Sequence, residues 1–163
     1  MIRLDPSRRW APPETPFRLN LGSALRPMEG WTNLDMQELP GVDVLYRVDP
    51  FYPVLPFRDD VVSAIEANNF VEHVADTNRL VQEMWRVSVN GAEWHVLTPG
   101  WRDPNSWNDP THLSHWGAEV LQFYTREGFD GRRYGPALIS FVRRGDIDHG
   151  LEFLVTVHKP GVP

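Results

Sequence analysis

Apolar and polar positions alternate in short blocks along this chain, and the period of the blocks changes in an ordered way. Phe17-Arg18-Leu19-Asn20-Leu21 alternates with period two and stops at Gly22, which predicts an opening strand over 17–21. Gly22 to Gly30, interrupted by Pro27, is too short and too broken for a full helix and reads as a turn. A second strand runs through Leu34 and ends near Asp35, and a third is Val42-Asp43-Val44-Leu45-Tyr46. Prolines then punctuate 50–56, and the lost backbone donors exclude a helix or an inner strand there. The β-branched run Val61-Val62-Ser63-Ala64-Ile65 predicts a fourth strand ending by Ala67, with Asn68 and Asn69 just past it.

Beyond this point the period lengthens. Asp76 is an N-cap candidate, and Leu80, Val81, Met84 and Trp85 recur with helical spacing before Asn90-Gly91 closes the segment as a turn. A fifth strand is expected over 93–97, a loop rich in Trp, Asp, Asn and Pro over 99–110, and a helix over 117–126 with Val120, Leu121 and Tyr124 on its apolar side. Two β-rich runs, 138–142 and 151–157, are joined by the polar stretch 143–150 and read as a hairpin. The expected fold class is α/β: a Rossmann-like, mostly parallel sheet with an antiparallel C-terminal hairpin and reduced helices, with no full helix after the first strand. Pro6, Pro12, Pro13 and Pro16 mark 1–16 as an N-terminal arm, pinned by Trp10, leaving 17–163 as a single domain.

Composition narrows the functional classes. A chain of 163 residues buries a core without cross-links, and the absence of cysteine excludes disulfides, thiolate metal sites and cysteine nucleophiles. It is also compatible with a reducing cytoplasm, the expected location. A net charge of −6 argues against a broad nucleic-acid surface. No apolar run is long enough for a membrane span, and the polar, proline-rich start lacks the apolar core of a signal peptide.

Several blocks carry a resemblance. Leu19-Asn20-Leu21-Gly22-Ser23-Ala24 followed by Gly30-Trp31-Thr32-Asn33-Leu34-Asp35 looks like the "LNLGCG…GWxNxD" opening of small class I methyltransferases of the type 11 kind. Asp49 with Leu55-Pro56-Phe57-Arg58-Asp59 is similar to "D…LPFxD", and Phe70-Val71-Glu72-His73-Val74 to "VLEHL". Trp85-Arg86-Val87 with Asn90-Gly91 stands where "RRVLKPGG" is usual, and Asp109-Pro110-Thr111-His112 matches "DPTH". The chain thus resembles that S-adenosylmethionine-dependent family over roughly residues 17–125, by the order and spacing of short motifs.

The resemblance implies S-adenosylmethionine as cofactor, lying across the carboxyl ends of the strands. Gly22 would let the backbone approach the methionine part, with Ser23 bonding to it. Asp35 would accept from the ribose hydroxyls, Met36 would cover the adenine, and Asp49 would accept from the adenine amino group. Asn68 and Asn69 would face the methyl group and the acceptor. His73, Asp109 and His112 are the candidate catalytic residues. Glu72 and His73 read equally as a solvated carboxylate and a packed imidazole, and the Asp109 turn as an ordinary Asp-Pro-Thr turn. The expected partner is a small-molecule substrate, with a homo-oligomer left open. Asp109, His112 and His115, three apart, invite a metal reading, but Pro110 breaks any continuous helix through them and no metal is expected. Tryptophans 94, 101, 107 and 116 line a cleft or pack the core. Two departures, Ala24 at the family's second glycine and Asn68-Asn69 for the more usual Ser-His pair, carry an alternative: a catalytically degenerate relative serving as a binding or assembly module.

Overall fold

Among the described residues the alternating runs collect into one eight-stranded sheet. The computed structural model describes residues 1–4, 9–125, 138–147 and 150–159. Residues 5–8 of the expected arm, residue 126 at the end of the expected late helix and residues 148–149 of the expected hairpin connection lie outside the described residues.

The strands are Ile2–Arg3 (β1), Phe17–Leu21 (β2), Thr32–Asp35 (β3), Val44–Leu45 (β4), Val62–Asn68 (β5), Ser88–Pro99 (β6), Leu138–Ile147 (β7) and Gly150–His158 (β8), in the spatial order β1-β4-β3-β2-β5-β6-β8-β7. The first six pair in parallel, and β8 and β7 add antiparallel. This is the expected α/β sheet with a C-terminal hairpin. Turns alone join β2 to β3, so the full helix is indeed missing there.

One helix of full length, Thr77–Val87 (α1), covers the core side among the described residues. Asp76 caps it by accepting from the Arg79 amide, and Leu80, Val81, Met84 and Val87 are buried beside Ile65, Trp94 and Phe153. Burying one such aliphatic side chain is worth about 1.5–3 kcal/mol, so the apolar stripe rather than helix propensity holds α1 in place.

Five local expectations are corrected. The third strand is confined to Val44–Leu45, and β5 runs on to include Asn68. Asn90-Gly91 does not end a segment: α1 passes directly into β6, and Gly91 takes φ +77° inside the strand. The pairing jumps there, Val62 opposite Ser88 but Ala64 opposite Glu93, so the Asn-Gly signal serves a bulge instead of a turn. Within the 99–110 loop, Asp103 caps the short helix Pro104–Asn108 (α2), with the proline at its start. The expected helix over 117–126 is a single 3-10 stretch, Val120–Tyr124, without a side-chain cap. Its buried residues, Leu121 and Tyr124, are three apart, which suits a three-residue repeat better than 3.6.

On the other side of the sheet, His95 bridges two carboxylates, with Nδ1 2.8 Å from Glu66 Oε2 and Nε2 2.7 Å from Glu152 Oε1. Burial pulls the imidazole pKa down, but hydrogen bonds and charge from Glu152 and Glu66 outweigh it, and the pKa is raised. A pKa raised above the unfolded value of about 6.5 means a stabilisation complete below about pH 6.5 and lost as pH rises through the folded-state value. Urea denaturation across this range should show the native chain losing stability and His95→Gln losing less. Parallel curves for the two proteins would remove the charged bridge.

Candidate functional site

Successive strands β2, β3 and β4 step one way across the sheet, and β5 and β6 step the other. The loops after β2 and β5 therefore diverge, opening a crevice at the carboxyl ends of these parallel strands, where ligands bind in open α/β sheets. Gly22 to Ala24 follow β2, Asp35 ends β3, and Asn69 and Phe70 follow β5.

The β2 turn is built from backbone bonds. The Gly22 and Ser23 amides both donate to the Leu34 carbonyl at 3.0 Å, and the Ala24 amide donates to Asp35 Oδ2 at 2.8 Å. Gly22 (φ +72°) and Ala24 (φ +44°) are both left-handed, a conformation that costs a residue bearing Cβ about 1–2 kcal/mol. A Cβ on Gly22 would lie 2.5 Å from Phe70 Cδ2, so the close approach that this glycine permits is used by the Phe70 ring. Asp35, 9% exposed, also accepts from the Gln37 amide through Oδ1. Each of its oxygens keeps one lone-pair direction for a further donor. Ser23 is 2% exposed and its Oγ has no partner. Met36 is 59% exposed beside Asp35. Asp49 Oδ1 accepts from the Phe51 and Tyr52 amides, which shapes its loop and leaves Oδ2 available. Asn68 is the last residue of β5, not a loop residue, while Asn69 lies beyond it at φ +50° with its amide bonded to the Leu97 carbonyl.

A second region adjoins Asn69. A cleft of about 640 Å³ is lined by Asn69, Glu72, His73, Asp109 and His112 together with Thr98 and Leu151. Two segments remote in sequence are tied together to make it. The Glu72 carbonyl accepts from the Leu113 and Ser114 amides, and Ser114 Oγ donates to the Val71 carbonyl. His73 Nδ1 lies 3.2 Å from the Thr111 carbonyl, and His112 Nδ1 lies 3.2 Å from the Ser106 carbonyl. The His73 and His112 rings meet edge to face at 4.8 Å. Burial pushes the Glu72 carboxyl pKa up, against a hydrogen bond from Thr98 Oγ1 that pulls it down. Asp109 is held below the usual carboxylate range by the Thr111 hydroxyl and amide.

The structure thus brings His73, Asp109 and His112 together, and adds Glu72, which the sequence weighed as a solvated carboxylate and which is buried. His115 goes elsewhere: it stacks on Trp107 at 3.6 Å and bonds Ser106 Oγ. Trp94 and Trp116 are core, whereas Trp101 and Trp107 are exposed. Thr98 and the α2 residues Asn105 and Asn108 were missed as cleft residues. The Asp103-Pro104 cap signal could have found α2, but nothing local aims its side chains.

No family model matches the sequence, and no curated protein matches it. Solved structures do match. One is a protein described as a methyltransferase, solved in complex with the Haloferax volcanii Trm112 methyltransferase activator: 14% identical, TM-score 0.59, covering 89% of this chain and 86% of that one. Another is YcgJ from Bacillus subtilis, 11% identical with TM-score 0.59, over 96% of this chain and 95% of that one. The chain has a class I methyltransferase fold. One expectation is overturned. The sequence named a small molecule as partner, but the Haloferax volcanii match is a methyltransferase assembled with a protein activator. Composition and short motifs carry no signal for a protein docking surface, so the sequence could not raise that kind of partner. No helix among the described residues is long and apolar enough to cross a membrane.

Proposed function

We propose that the chain is an S-adenosylmethionine-dependent methyltransferase that works with a protein partner. The observation that carries this reading is Asp35, a carboxylate buried at the end of β3, steadied by two backbone amides and retaining acceptor capacity toward the crevice. The residues fit the cofactor: the unpartnered Ser23 Oγ is an orphaned polar atom at the turn expected to receive the methionine part, and the exposed Met36 suits an adenine face. Gly22, Asp49, Asn68 and Asn69 complete the cofactor contacts of this reading. The cofactor supplies an electrophilic methyl group on a sulfonium. The chain itself contributes positioning, with the acceptor held in the cleft beside His73, Asp109 and His112. A protein partner is supported by the Haloferax volcanii complex and by the exposed apolar side chains of Leu25, Phe51 and Tyr52 on the loops around the crevice.

A specific observation favours a second reading. Phe70 occupies the space over Gly22 and Ala24 is left-handed, as expected of a module that keeps the fold without turnover. Calorimetric titration separates the two. S-adenosylmethionine and its demethylated product should bind, and Asp35→Asn should weaken binding by at least about tenfold, or about 1.4 kcal/mol. Met36→Ala, at an exposed position, should weaken it a few fold without touching the fold. Absence of binding at millimolar ligand leaves the module reading.

A further inference from the structure

The cleft beside the crevice holds a group of side chains whose chemistry methyl transfer does not require. One ligating atom each from Glu72, His73 and His112 lies within 4.8 Å of the others. We infer that Glu72, His73 and His112 form a binding site for a divalent transition-metal ion of the zinc or iron(II) type.

The first argument is orientation. A carbonyl oxygen only accepts, and the Thr111 hydroxyl 3.1 Å from His73 Nδ1 spends its proton on Asp109 Oδ1, so the Nδ1 atoms facing the Thr111 and Ser106 carbonyls carry the protons. In the neutral rings, the form that binds a metal, both Nε2 atoms then keep their lone pairs. Imidazole ligands are ordinarily fixed in this way, by a backbone carbonyl holding the other ring nitrogen. His112 Nε2 also stands 3.7 Å from Asp109 Oδ2, which puts a second carboxylate beside the site.

The second argument is independent of the imidazoles. Glu72 is 1% exposed, and while Oε2 accepts from Thr98 Oγ1, Oε1 has no partner. A buried polar atom left unmatched costs about 1–3 kcal/mol, and more when charged. An ion coordinated by Oε1 satisfies it. Two imidazoles and one carboxylate are a donor set suited to zinc or to iron(II), and they leave coordination positions open toward the cleft. Metal–ligand bonds of about 2.0–2.1 Å put ligand atoms about 3.3 Å apart, so the three side chains draw together on the ion by no more than about 1.5 Å. Asp109 stays beside the ion to orient its open positions. This places the imidazoles on an ion instead of in proton transfer. The inference rests on the cleft alone and stands whether or not the chain binds S-adenosylmethionine.

The test uses the untagged chain, stripped with chelator and titrated with Zn²⁺ by calorimetry and with Co²⁺ by visible absorption. One equivalent per chain is expected, with Co²⁺ bands of a coordinated ion. Glu72→Gln, which keeps the shape and the Thr98 bond, and His112→Asn should each weaken binding by at least about tenfold, since each removes a direct ligand. Circular dichroism checks that both variants fold, and should His112→Asn unfold, Glu72→Gln decides. Substoichiometric binding, or unchanged affinity in a folded Glu72→Gln, overturns the site.

Discussion

Arg86→Met should lower the free energy of unfolding by about 3–5 kcal/mol, the usual cost of breaking one side of a buried ion pair. Arg86 lies in the last turn of α1, and every guanidinium donor is used. Nε and Nη2 form a bidentate pair with Glu83 at 2.7 Å, Nη2 also donates to the Leu55 carbonyl, and Nη1 donates to the Phe57 carbonyl and to Asp59 Oδ1. Glu83 in turn accepts from the Leu55 amide. Methionine fills similar volume but leaves the Glu83 carboxylate, buried on α1, without its counter-charge. Arg86→Lys should recover little, because an ammonium cannot reproduce a planar fork that serves two carboxylates and two carbonyls. Urea denaturation measures both. A loss under about 1 kcal/mol for Arg86→Met would mean the network behaves as a surface pair. The consequence reaches function through the 55–59 segment, which follows the loop carrying Asp49, Phe51 and Tyr52 beside the proposed cofactor crevice.

Gly22→Ala should cost about 2–5 kcal/mol: about 1–2 for a Cβ at positive φ, and about 1–3 more for forcing the added methyl group against the Phe70 ring. The φ of +72° and the 2.5 Å approach to Phe70 Cδ2 act together, and neither can relax alone. Rotating Phe70 relieves the clash but not the backbone, and moving the backbone disturbs the amides that Gly22 and Ser23 donate to Leu34. Thermal or urea unfolding reads the loss, and a change within about 0.5 kcal/mol, the range of ordinary surface substitutions, would contradict this account of the turn. In the proposed function the same variant should also bind S-adenosylmethionine more weakly, since the crevice wall is displaced.

Local rules carried the strands over 17–21 and through Asp35, the Asp76 cap and the missing helix after the first strand. Each depends on neighbours in sequence: a period-two run, a carboxylate before an amphipathic repeat, a proline and glycines too close for helical turns. Asn90-Gly91 misled because the same dipeptide serves a tight turn and a bulge, and only the pairing of β6 with β5 selects between them. The stretch 117–126 misled because Val120, Leu121 and Tyr124 also fit an α-helical stripe, whereas the buried pair Leu121 and Tyr124, three apart, follows the tighter repeat of Val120–Tyr124.

The candidate site divides along the same line. Gly22, Ser23 and Asp35 were legible because one short turn between adjacent parallel strands brings them together, so their sequence spacing already implies contact. Glu72, His73 and His112 were legible only as residues. What unites them is a set of backbone bonds between the turn after β5 and the segment after α2, remote stretches that meet because β5 and β6 lie side by side in the sheet. The sequence by itself determined most of the strands, the capped helix and the glycine turn after the opening strand, whose interactions are local. Only the tertiary structure decided the convergence of a buried carboxylate and two imidazoles, because that geometry is a property of strand order and loop pairing, which no local spacing encodes.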